Sequence, residues 1–331
     1  MKSTLKDIAS DTGFSISTVS RFLSGSRRYY NSKEKTIFNS ANKINYPYIQ
    51  NFYNNGIKLK VALVTTITKG EFISLLLSDF HIAAKNTNCD IELINLEKDE
   101  FIKDKIKSLT KEKDGLCILY PDLNKSDCNI LESYMDKIPI ISLSPILDGS
   151  INTITFNNYK GGYLAAKYLD ELGYENFGII SGDKTIFEAS QRTNGFMDYL
   201  KVNNLQCSWE FKGNYSIESG NAAFTDFKNK KLPNMGIFGV NDYMCFGFMK
   251  LALLSGIKIP TDLSIIGFDN TPFCDNSIPE LSSISTDFVE LGKRALSSIE
   301  KSFIDYNKNE LFTNLVPVEI IDRNSAQKVN S

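Results

Sequence analysis

The sequence contains one histidine, His81, among 331 residues. A hydrolytic Ser–His–Asp triad or a histidine-rich metal site is therefore almost excluded. No G-x-G-x-x-G or Walker pattern surrounds Gly161 and Gly162, so close helix packing explains these glycines better than a phosphate loop. We predict that the chain is not an enzyme and has no catalytic residue, no cofactor and no bound metal.

The six cysteines are scattered without a C-x-x-C pair. Most lie within apolar runs, which favours buried free thiols over disulfides or metal ligands. The sequence has no basic-then-apolar leader and no apolar run long enough to span a bilayer. These absences predict a cytoplasmic protein without a membrane partner.

The length of 331 residues and the 42% hydrophobic content predict two to three domains with a large core. From Val61 onward, short apolar strands alternate with helical segments, a pattern that builds parallel sheets with helices on both faces. The predicted segments are 60–66, 72–87, 90–95, 101–112, 115–119, 127–136, 138–143, 159–172, 176–181, 190–203, 207–212, 217–229, 235–239, 242–255 and 263–268.

Charge is distributed unevenly along the chain. Residues 1–58 carry nine cationic and three anionic side chains, a net charge of +6, whereas the whole chain carries −2. A cationic N-terminal segment followed by an acidic remainder is typical of a polyanion-binding module fused to a soluble domain. A solvated basic face is the alternative interpretation, and the asymmetry in sign speaks against it.

Residues 4–23 predict two short amphipathic helices joined by a tight turn. The apolar residues at helical spacing are Leu5, Ile8 and Ala9 in the first helix and Val19, Phe22 and Leu23 in the second. Gly13 can take the left-handed conformation that ends the first helix, and Ser15 supplies an N-cap for the second. This arrangement is a helix-turn-helix, whose second helix fits the DNA major groove.

The outer face of the second helix carries side chains that can meet DNA. Arg21 can form two parallel hydrogen bonds with guanine, Ser17 can donate or accept, and Ile16 can contact a thymine methyl. Short hydroxyls beside the helix N-terminus can bind phosphate oxygens, and they belong to Ser15, Thr18 and Ser20. The alternative is a helical domain that never contacts DNA, since any three-helix domain needs the same apolar periodicity.

One ordered series of motifs runs through the chain. It begins with TLKDIASDTGFSISTVSRFLSGS and Asn45-Tyr46-Pro47, and continues with GYLAAKYLDELGYENFGIISG, QRTNGF and GIFGVNDYMCFGFMKLALLSGIKIPTDLSIIGFDN. These blocks resemble the LacI/GalR family of bacterial transcription regulators, in order and spacing, over roughly 320 residues. An ordered series is highly specific, whereas any single block would be weak.

The resemblance implies an all-α helix-turn-helix headpiece and an α/β body of two doubly wound parallel-sheet lobes, like that of periplasmic sugar-binding proteins. The headpiece includes a third helix at 31–45 with the inward stripe Ile37, Ala41 and Ile44. The predicted boundaries are 1–45 for the DNA-binding domain, 46–59 for the linker and 60–331 for the effector-binding and dimerisation domain. Within that domain, one lobe takes about 60–157 and 287–316, and the other takes about 158–286 and 317–331.

In open α/β sheets, ligands bind beyond the carboxyl ends of the strands. Strand 176–181 is followed by the loop that reaches Arg192, strand 235–239 by Asn241, and strand 263–268 by Asp269. An arginine, an asparagine and an aspartate that converge on one crevice can form paired hydrogen bonds with vicinal hydroxyls. Tyr215 or Phe72 could cover the apolar face of a sugar ring.

The family resemblance puts effector contacts at Arg192, Tyr215, Asn241 and Asp269, and Glu188 and Ser144 complete the predicted effector site. Plainer interpretations exist for three of these residues. Asp269 could cap the next element, Asn241 could cap the helix over 242–255, and Arg192 could pair with a surface carboxylate such as Glu188.

Two departures from the family's pattern bear on function. Ser144-Pro145 stands where the family usually has Asp-Arg, which leaves a purine, a nucleoside or another effector open. The stretch Gln50–Asn55 lacks the family's hinge leucine; Phe52 could act as the minor-groove wedge, or the stretch could be a flexible linker. Arg28, one of the cations of the basic segment, completes the predicted DNA contacts.

The sequence thus predicts a transcriptional repressor that binds a near-palindromic operator as a homodimer, with one headpiece per half-site. A small-molecule effector, by resemblance a carbohydrate, would bind between the two lobes and change operator affinity. A solute-binding protein is the first rival, against which the helix-turn-helix and the missing leader argue. An enzyme that uses Asp242 and Asp269 as paired carboxylates is the second.

Overall fold

The computed structural model describes residues 3–24, 32–48, 58–67, 71–96, 102–146, 149–230, 234–304 and 311–329. The chain divides into two compact units, which are Met1–Thr155 with Phe288–Asn314 and Phe156–Asp287 with Leu315–Ser331. Arg28 and Phe52, which the sequence predicts as DNA contacts, lie outside the described residues.

The first unit begins with three helices, α1 (Leu5–Thr12), α2 (Ile16–Ser24) and α3 (Ser32–Lys43). Gly13 adopts the left-handed conformation with φ +72°, and its N–H donates to the Ala9 carbonyl at the end of α1. The Ser15 hydroxyl accepts from the Thr18 N–H at 3.2 Å and thereby caps α2. The predicted helix-turn-helix is confirmed, together with the two residues that form its turn.

Apolar side chains from all three helices meet in a small core. The buried members are Ile8, Val19, Phe22, Ile37 and Ala41. The other predicted inward residues, Leu5, Ala9, Leu23 and Ile44, are half-buried. Since the apolar stripes of the helices face inward, the polar side chains of α2 are left on the outside.

The first sheet has the order β11-β5-β4-β3-β1-β2. Its strands are β1 (Leu59–Thr65), β2 (Cys89–Asn95), β3 (Gly115–Leu119), β4 (Ile140–Ser142), β5 (Thr153–Phe156) and β11 (Thr313–Val316), with helices α4 (Glu71–Ala84), α5 (Ile102–Glu112), α6 (Lys125–Glu132) and α12 (Phe288–Ile304). Strands β1 to β5 pair in parallel. Every residue of β3 is buried, as expected for a strand covered by helices on both faces.

The second sheet has the order β12-β10-β9-β8-β6-β7. Its strands are β6 (Asn176–Ser181), β7 (Cys207–Lys212), β8 (Met235–Gly239), β9 (Leu263–Asp269), β10 (Ser282–Ser285) and β12 (Glu319–Ile321), with helices α7 (Asn158–Glu171), α8 (Phe187–Val202), α9 (Ile217–Lys230), α10 (Asp242–Leu254) and α11 (Phe273–Asn276). All its pairs are parallel except β10 with β12. The predicted architecture of two doubly wound parallel sheets is confirmed.

Some element boundaries predicted from the sequence were wrong. Strands β5 and β10 were missed, because each has four residues and too few alternations to show a period. The predicted linker at 46–59 runs one residue into β1, which begins at Leu59. Helix α8 begins at Phe187, three residues before the predicted 190–203.

Two glycines let α7 and α8 approach at backbone distance. A Cβ atom on Gly162 would lie 1.9 Å from the Arg192 carbonyl oxygen, and one on Gly195 would lie 1.9 Å from the Tyr159 carbonyl oxygen. The interpretation of Gly162 as a packing residue is therefore confirmed. The close contact also fixes the backbone of Arg192 against α7, which matters for the site below.

Candidate functional site

A buried ion pair lies at the carboxyl edge of the second sheet. Arg192 Nη1 of α8 lies 3.1 Å from Asp269 Oδ1 at the end of β9, and the two side chains are only 9% and 10% exposed. The predicted convergence of these two residues is therefore present in the structure. The structure pairs Arg192 with this buried aspartate, and Glu188, one turn earlier on α8, is half-buried rather than a surface carboxylate. The effector contact of Glu188 remains a prediction.

Three further contacts hold the Arg192 side chain. Its Nε donates to Asn158 Oδ1 at 2.8 Å, and its Nη1 donates to the Val240 carbonyl at 2.7 Å. The guanidinium carbon lies 3.6 Å from the centroid of the Phe268 ring, a cation–π contact. Sequence reasoning missed Asn158 and Phe268, because the first has the pattern of a helix-start residue and the second that of a core strand residue.

The other partner, Asp269, has an unusual backbone. Its φ is +104°, a region that residues other than glycine rarely adopt, and the next residue, Asn270, has φ +53°. Strain of this kind costs about 1–3 kcal/mol and tends to occur at ligand sites. Burial raises the pKa of the Asp269 carboxyl above its ordinary value, with Arg192 opposing the shift and the Asp242 charge adding to it.

Asp242 is fully buried beside this edge, and its own chain satisfies both carboxylate oxygens. Oδ2 accepts from the Thr271 N–H at 2.8 Å and from Cys274 Sγ at 3.3 Å, and Oδ1 accepts from Ser283 Oγ at 2.7 Å. A Cβ atom on Gly267 would lie 2.1 Å from Asp242 Oδ1, so this approach requires glycine. Burial raises the pKa of Asp242. Its bonds tie α10 to the segment after β9 and to β10, which is a structural role.

Asn241 and Tyr215 lie next to each other at the same edge. The Asn241 side-chain oxygen accepts from the Met244 N–H at 3.1 Å, so the predicted capping of α10 is confirmed. Its Nδ2 donates to the Tyr215 carbonyl at 3.0 Å. Tyr215 has φ +69° and is half-buried, and burial raises the pKa of its hydroxyl. The effector contacts of both residues remain predictions.

Phe72 and Ser144 belong to the first unit. Phe72 is half-buried on α4, and its ring meets the Phe288 ring edge-on with centroids 5.2 Å apart. Ser144 follows β4 and is 2% exposed. Within the described ranges, no hydrogen-bond partner lies near Ser144 Oγ. The contacts predicted between these residues and an effector remain predictions.

The predicted DNA-reading face lies on α2. Its exposed members are Ser15, Ile16, Ser17, Thr18 and Arg21, and Ser20 is half-buried. The large apolar side chain of Ile16 is 44% exposed, although the helix buries Val19 completely. The Ser15 hydroxyl lies 2.9 Å from that of Ser17 and 2.8 Å from that of Thr18. Their contacts with DNA remain predictions.

Comparison with known proteins adds to this geometry. Residues 166–326 match the family model of the periplasmic binding protein-like domain. The HTH-type transcriptional regulator DegA of Bacillus subtilis is 27% identical, with 100% of each chain covered.

Solved structures share the fold. The lac repressor dimer bound to operator and the anti-inducer ONPF aligns with a TM-score of 0.74 at 23% identity, covering 99% of this chain and 100% of that one. A LacI family transcriptional regulator from Enterococcus faecium with bound ribose aligns with a TM-score of 0.71 at 21% identity, covering 82% of this chain and 100% of that one.

A helix-turn-helix followed by a periplasmic-binding-protein-like domain defines the chain as a DNA-binding transcriptional regulator. Its sequence motifs resemble the LacI/GalR family, and solved structures of LacI family regulators share its fold. No helix in the described part of the chain is long and apolar enough to cross a membrane. The same described residues contain no group of three or more side chains able to hold a metal ion.

Proposed function

We propose that the protein is a repressor that reads a near-palindromic operator with α2 and responds to a carbohydrate held at the carboxyl edge of the second sheet. The observation that carries the effector half of the proposal is the buried Arg192–Asp269 ion pair. The exposed polar face of α2 carries the DNA half.

The DNA half of the proposal depends on charge and access. Arg21 is exposed, and a guanidinium can form two parallel hydrogen bonds with guanine in the major groove. Ile16 exposes a large apolar side chain that suits a thymine methyl. The net charge of +6 over residues 1–58 supplies attraction to phosphate that does not depend on sequence.

The case for a bound effector rests on two features of the second sheet edge that cost free energy, the buried ion pair and the strained backbone of Asp269. Burying an ion pair removes two charges from water, and their mutual attraction often does not offset that loss. A strained backbone at Asp269 adds to the cost. Binding a polar ligand is a function that accounts for both features, because such a ligand needs fixed charged groups within reach.

The free donors of Arg192 define the ligand class. Its contacts use Nε and Nη1, and among the described residues none accepts a hydrogen bond from Nη2. A guanidinium donor beside a carboxylate acceptor matches two neighbouring hydroxyl groups, as a sugar presents them. The fold relative from Enterococcus faecium contains bound ribose, which supports this class.

The DNA half is tested with Arg21→Ala on an operator selected from genomic DNA. We expect a loss of about 1–3 kcal/mol in binding free energy and relaxed preference at one symmetric base position. Arg294→Ala, in the body of the first unit, is the control. Equal weakening on every sequence would show that Arg21 contacts only phosphate, and no operator preference in the wild type would remove the proposed function.

The effector half is tested by a thermal-shift screen of monosaccharides, disaccharides and nucleosides. We expect a sugar to raise the melting temperature of the wild type and to lose this effect in Asp269→Asn, while operator binding is retained. Glu175→Gln, at an exposed position before β6 and so at the opposite edge of the same sheet, should keep the response. A nucleoside hit in place of a sugar would assign the site to that class instead.

A further inference from the structure

Helix α3 buries two neighbouring stripes of side chains. Ile37 and Ala41 face the core of the three-helix headpiece. Phe38 and Asn42, also four residues apart, share the adjacent face and are buried as well. Because a three-helix core needs only the first stripe, the second one has a different partner.

That partner is the C-terminal turn of α12, which belongs to the body of the first unit. The Phe38 ring stacks on the Phe303 ring with centroids 4.8 Å apart and an interplanar angle of 27°. Asn42 Nδ2 donates to the Phe303 carbonyl at 3.0 Å. The last four carbonyls of a helix have no partner within that helix, so α3 caps α12 from outside.

Helix α12 is itself fixed to the first sheet. The Glu300 carboxylate accepts from the Asn88 N–H, just before β2. Ile299 fills the space over Gly115 in β3, where an added Cβ atom would lie 2.6 Å from the isoleucine Cγ2. A headpiece that docks on Phe303 is therefore docked on a rigid element of the first unit.

The docked headpiece keeps its reading face open. Docking uses α3, whereas Ile16 and Arg21 on α2 stay exposed. A head held in one orientation before binding avoids part of the ordering cost of association. In a dimer, two heads held in this way would also fix the distance between the half-sites that they can reach.

We infer that Phe38, Asn42 and Phe303 are positioning residues for operator recognition. They hold the headpiece in one orientation on the first unit, and so make the dimer select operators by the spacing of their half-sites. The inference depends on the proposed operator binding but not on the identity of the effector.

The test compares wild type, Phe303→Ala and Phe303→Leu on one selected operator and on versions with one or two base pairs inserted or removed between the half-sites. A single half-site is measured in parallel. Lys301→Ala, at an exposed position on the same helix, is the control. We expect Phe303→Ala to lose about tenfold in discrimination between spacings, because the two heads no longer act at a fixed distance.

The single half-site separates positioning from mere stability. Phe303→Ala should bind it with wild-type affinity, and Phe303→Leu should retain most of the spacing preference, because leucine keeps an apolar contact. An unchanged spacing preference in Phe303→Ala would overturn the inference. So would an equal loss on the half-site and on all spacings, since that result would mean a destabilised headpiece.

A second measurement needs no DNA. Hydrogen exchange in the last turn of α12 should be faster in Asn42→Ala and Phe38→Ala, with the core amides of β3 unchanged. The same exchange rates in wild type and both variants would show that the headpiece does not dock. Faster exchange together with a wild type that binds no operator would keep the docking but remove the proposed function, and with it the positioning role.

Discussion

The two sheets share one strand order, and their carboxyl edges can be compared position by position. The first runs β2-β1-β3-β4-β5-β11 and the second β7-β6-β8-β9-β10-β12. The helix after the first strand carries Phe72 in one unit and Arg192 in the other. The segment at the end of the fourth strand carries Ser144 in one and Asp269 in the other.

The comparison shows that one backbone frame supports two kinds of edge. The second edge buries opposite charges and needs Asn158, the Val240 carbonyl and Phe268 to hold them. The first edge has a serine and an aromatic ring at the same positions, and neither side chain carries a charge. The chemistry of each edge is therefore set by a few side chains rather than by the fold.

One position is alike in both units. The helix after the third strand is capped by an asparagine in each, Asn124 for α6 and Asn241 for α10. The Asn124 side-chain oxygen accepts from the N–H groups of Ser126 and Asp127. Capping is therefore a shared structural task, and any ligand contact by Asn241 would be additional to it.

The largest effect is expected from removing the charge of the second edge. Arg192→Met should lower the free energy of unfolding of the second unit by about 3–5 kcal/mol, because Asp269 is then left buried without its partner. Urea unfolding followed by the fluorescence of Trp209, the one tryptophan, reports on this unit. Arg192→Met with Asp269→Asn should recover part of the loss.

An exposed ion pair in the same unit supplies the matched control. Lys212 and Asp183 lie 3.7 Å apart with 61% and 43% of their side chains exposed. Lys212→Met should change stability by less than about 1 kcal/mol, since surface pairs contribute little. If Arg192→Met and Lys212→Met lower the free energy of unfolding equally, the buried ion pair is no more important for stability than the exposed one, and the comparison of the two edges is wrong.

An intermediate effect is expected from Asp242 and depends on pH. Burial raises the pKa of Asp242 in the folded state. Such a carboxyl stabilises the folded state fully at pH values below its ordinary pKa of about 4, and this stabilisation is lost as the pH rises through the raised pKa. Relative to Asp242→Asn, the wild type should lose stability with rising pH, by at most about 1.4 kcal/mol per pH unit.

The same Trp209 signal measures this difference, in urea titrations at several pH values. Subtracting the two proteins removes the contributions of the carboxyl groups that do not interact with Asp242, and the contribution of Asp269, whose pKa the Asp242 charge helps to raise, adds to the difference in the same direction. Glu175→Gln, at an exposed position of the second unit, is the control substitution. Parallel curves for the wild type and Asp242→Asn would refute the raised pKa.

The smallest effect on stability is expected at the first edge. Ser144→Ala should change the free energy of unfolding by less than about 0.5 kcal/mol, because no described residue bonds to the lost hydroxyl. Ser142→Ala is the contrast, since its hydroxyl donates to the Ser144 carbonyl at 2.7 Å. Calorimetry with a sugar from the thermal-shift screen then decides whether Ser144 contacts it, and an unchanged affinity removes it from the site.

Local signals in the sequence predicted much of the fold. Gly13 and Ser15 determine the turn of the helix-turn-helix by their own conformational and hydrogen-bonding properties. Buried parallel strands are continuous apolar runs, so strands such as β3 were predicted with their observed bounds. Short strands such as β10, SSIS, are set by pairing with distant strands and have no local signal.

The candidate site was predictable only in part. The rule that ligands bind beyond the carboxyl ends of strands finds the charged residues there, but not the residues that hold those side chains in place. Arg192 and Asp269 were placed at the sheet edge by that rule. The bond to Asn158 and the ring contact with Phe268 depend on tertiary packing. The same holds for Phe303, whose contact with the headpiece joins residues 261 positions apart or more in the chain.

The closing residues of the second unit have a consequence for synthesis. Ser325 Oγ accepts from the Ser282 N–H at 2.8 Å and donates to the Ile265 carbonyl at 2.7 Å, which fastens the tail beside β9 and β10. Ser325 follows every strand of the second sheet in the chain, so during synthesis these bonds form only after β9 and β10 have been made, long after residues 3–24 of the helix-turn-helix. A nascent chain therefore contains its helix-turn-helix long before the carboxyl edge of its second sheet is fastened.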